Sequence, residues 1–351
     1  MNESNTPSPS PRAHRNLFAL GAVLAIAAAA LAAWFLLPRM PGPDDTAWRT
    51  YKQRFLTAEG RIADTGNGGV SHTEGQGYAM VLATAYRDKA AFDALWSWTR
   101  KTLRRPDGLF SRKYVPNADQ PIPDPNNASD GDLLICWGLL RAAELWNRPE
   151  DRDAALGIAD VLRRKVVAVE GEDAYLLPGA AGFLSDGKRV VNLSYWVFPA
   201  LQDIAVATGD PVWRQVIETG LKLIGQASFG EHRLPPDWLD TSGTLRPAEG
   251  FPPRFGYDAA RIPLYLLWSR VGGSEQLGEI SAFWTAAGDK APAWIDLTSG
   301  AVSPERQSPG MSAVSRLVLG LPLPPAADND DYYSATLWML ATQARSSNTS
   351  P

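Results

Sequence analysis

From about residue 46 onward, apolar side chains recur at intervals of three and four residues, which places them on one face of an α-helix. The pattern is strong over 131–146, where Leu134, Trp137, Leu140 and Leu145 are among the apolar positions. Alternating patterns that would indicate β-strands are scarce. The helical spacing also predicts helices over 76–87, 90–103, 149–167, 193–208, 211–226, 259–269, 274–287, 312–319 and 332–343.

About eleven or twelve helices of medium length in one chain favour an all-α ring of helical hairpins, an α-toroid. Loops rich in Gly and Pro separate the helices, notably at 179–187, 234–253 and 321–330. Such a ring gathers loops on one face, where functional residues are expected. No repeat of fixed period is visible, which argues against a regular solenoid.

Residues 17–37 form an apolar run without a charge. As a helix, these residues would extend about 30 Å, the thickness of the hydrocarbon core of a bilayer. Arg12 and Arg15 precede the run, which predicts a cytoplasmic N-terminus and an extracytoplasmic remainder. The length favours a signal anchor in the inner membrane, and small residues at 27–33 leave a cleaved signal peptide as the alternative.

The predicted organisation follows from that run. It comprises a cytoplasmic segment 1–16, the anchor or signal 17–37, a linker 38–45, a globular domain 46–346 and a tail 347–351. The globular domain is therefore expected in the periplasm, anchored to the inner membrane or released after signal cleavage.

Composition narrows the function classes. The 351 residues are 45% hydrophobic and 21% charged, which supplies a large core. The net charge of -4, with scattered Lys and Arg, argues against nucleic-acid binding. The single cysteine, Cys136, lies in an apolar run and is expected to be buried. The 13 tryptophans fit core packing or stacking on sugar rings, and composition does not separate these roles.

Glu74 lies at a predicted loop–helix junction, in the sequence T-E-G-Q-G-Y. The glycines would let a bulky ligand approach the carboxyl group, and the environment beside Tyr78 could raise its pKa. Both features suit a general acid. The structural alternative is a helix N-terminus whose dipole the carboxylate offsets.

Asp130 lies in the sequence N-A-S-D-G-D, where it fits the cap of the helix at 131–146. The acids and amides of 124–132 could also bind calcium. Their spacing is not that of an EF-hand loop, which requires a glutamate at its last position. We therefore predict no metal site in this stretch.

Asp258 lies at a third loop–helix junction, in the sequence F-G-Y-D-A-A-R. Arg261 follows one helical turn later and could pair with Asp258 or with a substrate hydroxyl. An N-cap aspartate is again the structural alternative.

These three acidic motifs, in this order, resemble those of glycoside hydrolase family 8. The resemblance is strongest to the endoglucanases associated with bacterial cellulose synthase, and it covers roughly residues 46 to 345. Three further stretches support it: N-L-S-Y-W at 192–196, L-P-P-D-W at 234–238 and Y-Y-S-A at 332–335.

The resemblance implies an (α/α)6 barrel that cuts β-1,4-glucan with inversion, and an association with the cellulose synthase complex. The implied two-carboxylate mechanism requires no metal and no cofactor. It implies Glu74 as general acid, Asp258 as general base and Asp130 as the residue that holds the sugar at the cleavage point. An inverting pair stands about 6.5–9.5 Å apart to admit a water molecule. The further residues implied for substrate binding are Tyr195 and Arg261, Tyr332 or Tyr333 near the base, and Trp196 and Trp238 in the cleft wall.

The chain departs from the family pattern at 111–113, where Ser-Arg-Lys replaces a stretch that often carries a sugar-stacking Trp. Ala79 and Leu193 are smaller departures, at positions where Gly and Pro are common. The first departure keeps chitosan, xylan or mixed-linkage glucan as alternative substrates. A non-catalytic glucan-binding component of a secretion complex is the other alternative, and the intact carboxylates argue against it.

Overall fold

A computed structural model describes residues 45–185, 187–327 and 329–349, so the predicted segments 1–16 and 17–37 lie outside the described residues. Within that range, no helix is long and apolar enough to cross a membrane. The α-helices are α1 (Asp45–Phe55), α2 (Thr73–Ala85), α3 (Lys89–Thr102), α4 (Ser129–Trp146), α5 (Pro149–Lys165), α6 (Phe198–Thr208), α7 (Val212–Gln226), α8 (Ile262–Ser269), α9 (Ser274–Ala287), α10 (Pro309–Val318) and α11 (Tyr332–Thr349). The prediction of a mostly helical chain is confirmed.

The helices pair around a closed ring. Helices α2, α4, α6, α8 and α11 each pack on the next, and α11 packs again on α2. A second helix lies against each of these: α3 on α2, α5 on α4, α7 on α6, α9 on α8, and both α1 and α10 on α11. In α2 every residue from Gly75 to Thr84 is buried, as expected for a helix surrounded by protein on all sides.

Short strands of two to four residues join the helices of the predicted all-α ring. They are β1 (Ser71–His72), β2 (Lys113–Tyr114), β3 (Val167–Glu170), β4 (Asp173–Leu176), β5 (Leu184–Ser185), β6 (Lys188–Val191), β7 (Leu239–Asp240), β8 (Arg246–Pro247), β9 (Arg254–Phe255) and β10 (Ile295–Asp296). Strands β5 to β8 form one antiparallel sheet, and β1–β2, β3–β4 and β9–β10 form separate antiparallel pairs. Strands this short cannot show a clear alternation of apolar and polar residues.

Two of these pairs hold segments that lead into inner helices. In β1–β2, His72 pairs with Lys113, so the chain is fixed directly before α2. In β9–β10, Phe255 pairs with Ile295, which fixes the segment that leads into α8. The strands therefore anchor the loops at which the candidate acids were predicted.

Glycines allow α2 and α4 to pack closely. A Cβ added at Gly131 would lie 2.2 Å from Thr73 Oγ1, and one added at Gly77 would lie 2.4 Å from the Leu134 Cβ. Real Cβ atoms do not approach this closely, so the helices depend on glycine at both positions. The contacts occur in the same order along both helices, which shows that α2 and α4 run parallel and begin at the same face of the ring.

We expect Gly77→Ala to lower the free energy of unfolding by about 1–3 kcal/mol, because the new methyl group overpacks the interface between α2 and α4. Gly157→Ala is the matched control, since Gly157 lies within α5 and a Cβ there meets no atom within 4 Å. It should stabilise the protein by about 0.5–1 kcal/mol, because alanine is the better helix former. Denaturant titration measures both values. Equal effects of the two changes would contradict the packing argument.

Candidate active site

The predicted site residues lie where inner helices begin. Glu74 is the second residue of α2, and Asp130 is the second residue of α4. Asp258 directly precedes a short 3-10 turn, Ala259–Arg261, that leads into α8, and Arg261 is the last residue of that turn. The partial positive charge at a helix N-terminus favours carboxylates at such positions.

Arg261 joins the three carboxyl groups. Its Nη1 contacts Glu74 Oε1 and lies 3.8 Å from Asp130 Oδ2. Its Nη2 donates to Asp258 Oδ1 at 2.7 Å. The guanidinium group is buried, whereas the Glu74 and Asp258 side chains remain 28% and 30% exposed. The two carboxyl groups predicted as acid and base therefore each bind a different terminal nitrogen of one guanidinium. Both remain accessible to solvent.

Hydroxyl groups also bind the two terminal nitrogens of the guanidinium. Tyr78 donates to Glu74 Oε1 at 2.9 Å and accepts from Arg261 Nη1 at 2.9 Å. Its hydroxyl also contacts that of Tyr265. On the other side, Ser194 Oγ accepts from Arg261 Nη2 at 2.9 Å. These bonds fix the cation, which in turn fixes the two carboxyl groups.

Asp130 is the most buried of the three acids, with 2% of its surface exposed. Burial raises its pKa to about 8, and the charges of Asp258 and Asp132 act in the same direction. The backbone N–H of Gly131 opposes this by donating to Asp130 Oδ1 at 2.8 Å. At neutral pH the folded protein therefore favours a protonated Asp130, which can both donate and accept hydrogen bonds.

We expect Asp130→Asn to melt above the wild-type protein at pH 9, by at least about 2 °C. A carboxyl group with a raised pKa in the folded state destabilises that state progressively as the pH rises from the unfolded pKa to the folded one. The amide carries no charge and keeps the acceptor for Gly131. The difference in melting temperature between variant and wild type should become smaller from pH 8 to pH 5, and calorimetry measures it. A gap independent of pH would contradict the burial argument.

Asp258 also has a raised pKa, of about 7. Burial is the largest cause, and the charge of Asp237 is the next. The side chains of Asn192, Arg254 and Trp238 act in the opposite direction. A carboxyl group that changes charge near neutral pH can accept a proton during catalysis and release it afterwards.

Tyr195 and Trp238 lie beside the carboxyl groups. Burial raises the pKa of the Tyr195 hydroxyl well above its usual value, and the charges of Asp130 and Asp258 raise it further, which places this hydroxyl near both acids. The Trp238 indole meets the Tyr195 ring edge to face, with 6.1 Å between ring centroids. It also stacks on Phe251 at 4.3 Å and on Phe183 at 5.8 Å. These partly exposed rings offer an apolar surface that suits a sugar face.

Trp196 does not line a cleft, and the prediction for this residue is wrong. Its side chain is fully buried, and Nε1 donates to the Val216 carbonyl at 2.8 Å. A Cβ added at Gly220 would lie 2.3 Å from the Trp196 ring, so the indole fills the space that this glycine leaves on α7. Trp196 is a core residue between α6 and α7.

The two tyrosines at the start of α11 lie on different sides of the site. Tyr333 donates its hydroxyl to the Tyr257 carbonyl and packs edge to face on the Tyr257 ring, directly before Asp258. Tyr332 is buried against α2 instead, because a Cβ added at Gly75 would lie 2.4 Å from its hydroxyl. Of the pair, Tyr333 is therefore the residue beside Asp258, the predicted base.

The chain matches the family described as glycosyl hydrolases family 8 over residues 11–347. It belongs to this family. It is 42% identical over 320 residues to a probable endoglucanase of Novacetimonas hansenii, with 88% of this chain and 93% of that protein covered.

Solved structures of family 8 proteins have the same fold as this chain. An endoglucanase of Klebsiella pneumoniae is 43% identical, with a TM-score of 0.83 over 86% of this chain and 99% of that one. An endo-β-1,4-glucanase of Acetobacter xylinum is 41% identical, with a TM-score of 0.84 over 88% of this chain and all of that one. The family predicted from the acidic motifs is confirmed, and the protein is a glycoside hydrolase.

The acidic stretch at 124–132 of this family 8 protein serves the fold as well as the site. Asp132 is buried and accepts from the Phe110 N–H at 3.0 Å and from Asn127 Nδ2 at 2.7 Å. Asp124 pairs with Arg112 at 2.7 Å. Among the described residues, no group of three or more His, Cys, Asp or Glu side chains is arranged to hold a metal ion.

Sequence reasoning did not single out Ser194, Tyr265 or Asp237. Ser194 and Asp237 lie within the stretches N-L-S-Y-W and L-P-P-D-W, in which only aromatic residues were predicted to bind substrate. Asp237 lies between a proline and a tryptophan in the sequence, and only 3% of its surface is exposed. A buried carboxylate requires hydrogen-bond or ionic partners, so its burial is the signal that the sequence does not show. Tyr265 lies in α8, four residues after Arg261, which caps the N-terminus of that helix, so the spacing is that of neighbouring helical turns.

Proposed function

We propose that this protein is an inverting endo-1,4-β-glucanase with Glu74 as general acid and Asp258 as general base. The observation that carries the proposal is the arrangement of Glu74 and Asp258 on one buried guanidinium, at the starts of two inner helices. The endoglucanase names of the relatives support the activity and the linkage. The paired helices around the closed ring support an (α/α)6 barrel as the complete fold.

The chemistry assigns one step to each carboxyl group. Glu74, in its protonated form, gives its proton to the glycosidic oxygen as the bond to C1 breaks. Asp258, in its ionised form, takes a proton from the water that attacks C1 from the opposite side. The product is a sugar of inverted configuration, and both carboxyl groups end in the other protonation state. Protons exchanged with solvent through their exposed edges then restore the starting state.

Asp130, Tyr195 and Trp238 are proposed to hold the sugar. A protonated Asp130 can donate to a sugar hydroxyl while it accepts from the Gly131 N–H. Tyr195 offers a hydroxyl close to both acids, and Trp238 offers a ring face. Residues of this kind raise the rate when their contacts strengthen in the distorted sugar of the transition state.

The cellular location proposed is extracytoplasmic, with residues 17–37 as anchor or signal. The apolar run and the arginines before it support this proposal. Association with a cellulose synthase complex is proposed from the sequence resemblance. Membrane fractionation of the full chain, with and without residues 1–37, would test the anchor.

The first test is hydrolysis of carboxymethyl cellulose by residues 40–351. An endo-acting enzyme lowers viscosity long before many reducing ends accumulate, and proton NMR of the first products should show the α-anomer. Release of reducing ends without an early viscosity loss would contradict endo action. An initial β-anomer would contradict inversion.

Another β-glycan is the second candidate for the substrate, and the observation that favours it concerns Arg112. Its guanidinium pairs with Asp124 at 2.7 Å and is about half exposed, so a charged pair stands where a stacking ring is common in the family. A panel of cellulose, chitosan, xylan and mixed-linkage glucan separates the candidates. A kcat/KM at least tenfold higher on one of the other three polymers would replace β-1,4-glucan as the substrate.

A further inference from the structure

Asp237 lies beneath the loop that carries Asp258. Its Oδ1 accepts from the backbone N–H groups of Gly256 and Ala259, both at 2.9 Å. These donors lie on either side of Asp258 in the sequence. Its Oδ2 accepts from Arg254 Nε at 3.1 Å, and its own N–H donates to the Arg254 carbonyl at 2.7 Å. The buried carboxylate therefore holds the turn at three points, and the backbone N–H of Asp237 adds a fourth.

Gly256 shows that the close approach is built into the turn. A Cβ at this position would lie 2.9 Å from Asp237 Oδ2 and 3.0 Å from Arg254 Nε. Any larger residue would push the ion pair away from the loop. The turn is thus shaped around the Asp237 carboxylate, and 3% exposure leaves that group little contact with solvent.

We propose that Asp237 is a positioning residue for the proposed general base: its carboxylate holds the 254–259 turn through the backbone N–H groups of that turn, and its negative charge, paired with Arg254, acts on Asp258. This inference rests on the proposed role of Asp258. Asp237 touches neither substrate nor the reacting atoms, and it acts only through the turn and through its charge.

The charge has a definite direction of effect. Asp237 raises the pKa of Asp258, while Arg254 lowers it. The pKa of Asp237 is itself raised by burial, against the effects of its N–H donors and of Arg254. The titratable or charged groups facing the two carboxyl groups are Asp130, Tyr195, Arg254, Tyr257, Arg261 and Tyr333.

Asp237→Asn removes the charge and the ion pair with Arg254, but it keeps an acceptor for the two backbone N–H groups. The amide oxygen can still accept from Gly256 and Ala259, whereas the negative charge is gone. Asp258 should then ionise at a lower pH, and the acidic limb of the kcat/KM profile should move down by about 1 pH unit. The ratio of kcat/KM at pH 5 to that at pH 8 should therefore rise about tenfold relative to wild type, because each unit is a factor of ten.

Asp237→Ala tests the geometry. Without an acceptor for the two N–H groups the turn can shift, and a displacement of about 1 Å at the base can cost about 100-fold in kcat. KM should change much less, since no proposed sugar contact is removed. Recovery of kcat in Asp237→Asn relative to Asp237→Ala would show that the acceptor, rather than the charge, holds the turn.

Asp240→Asn is the matched control. Asp240 is also a buried aspartate, three residues further on, and it accepts from Arg246 and Ser242 instead of from the base loop. Its loss should leave the pH profile unchanged even if the protein melts at a lower temperature. An unmoved acidic limb in Asp237→Asn, or an equal shift in Asp240→Asn, would overturn the proposal.

Different results would contradict the proposed function itself: a wild-type protein that is inactive on every β-glycan, or an Asp258→Asn variant that is active. In that case, carboxyl 13C NMR titration of Asp258 in wild type and Asp237→Asn still decides the electrostatic part. An Asp258 pKa lower in the variant supports it, and an equal pKa refutes it. If Asp237→Ala does not fold, the Asp237→Asn profile alone decides.

Discussion

Glu74→Gln should lower kcat on β-1,4-glucan by about 10³-fold or more, with KM nearly unchanged, because a general acid contributes up to about 10⁴-fold. The amide keeps the size of the side chain and can still accept from Arg261, so the change removes the transferable proton and little else. The loss should depend on the leaving group. A cellooligosaccharide with a dinitrophenyl leaving group needs no protonation and should lose less than about tenfold.

Glu144→Gln provides the control for this variant. Glu144 lies near the end of α4, remote along the helix from Asp130 at its start, and the same chemical change there should leave kcat within about twofold. A Glu74→Gln variant that loses equal activity on the polymer and on the activated substrate would assign Glu74 a role other than acid catalysis.

The helices and the family were predicted correctly from the sequence, whereas the place of one aromatic residue was not. Glu74, Asp130 and Asp258 stand in short motifs beside glycines, and their order along the chain identified the family. Trp196 and Trp238 have similar local sequences, in that each follows a polar residue. Trp196 is nevertheless buried against α7, whereas Trp238 packs in a partly exposed stack of aromatic rings. The difference depends on Gly220, a residue on another helix, and no local pattern reveals such a contact.

Burial and long-range pairing explain the rest of what the sequence did not show. Strand β9 is only two residues long, and it pairs with β10, about forty residues later in the chain. Asp237 accepts hydrogen bonds from N–H groups about twenty residues later in the chain, and no local sequence pattern predicts a contact over that separation. The candidate acids could therefore be picked out from the sequence, while the contacts that position them are visible only in the folded chain.

The shared guanidinium has a consequence for how the two carboxyl groups divide their roles. Arg261 contacts both Glu74 and Asp258, so its charge alone does not distinguish the acid from the base. What differs is the neighbourhood beyond it: Tyr78 donates to Glu74, whereas Asp237 and Asn192 lie near Asp258. The assignment of acid and base accordingly predicts opposite responses to the leaving group.

Asp258→Asn should abolish measurable turnover, with a loss of at least about 10³-fold on polymer and activated substrate alike, because water still has to be deprotonated whichever group departs. In the wild-type protein, kcat/KM should fall as the pH drops below about 7, where Asp258 takes up a proton in the free enzyme. Asp240→Asn should retain both the rate and this acidic limb. Rescue of Asp258→Asn by the dinitrophenyl substrate would reverse the assignment, since it would mean that Asp258 supplies a proton to the leaving group and that Glu74 activates the water.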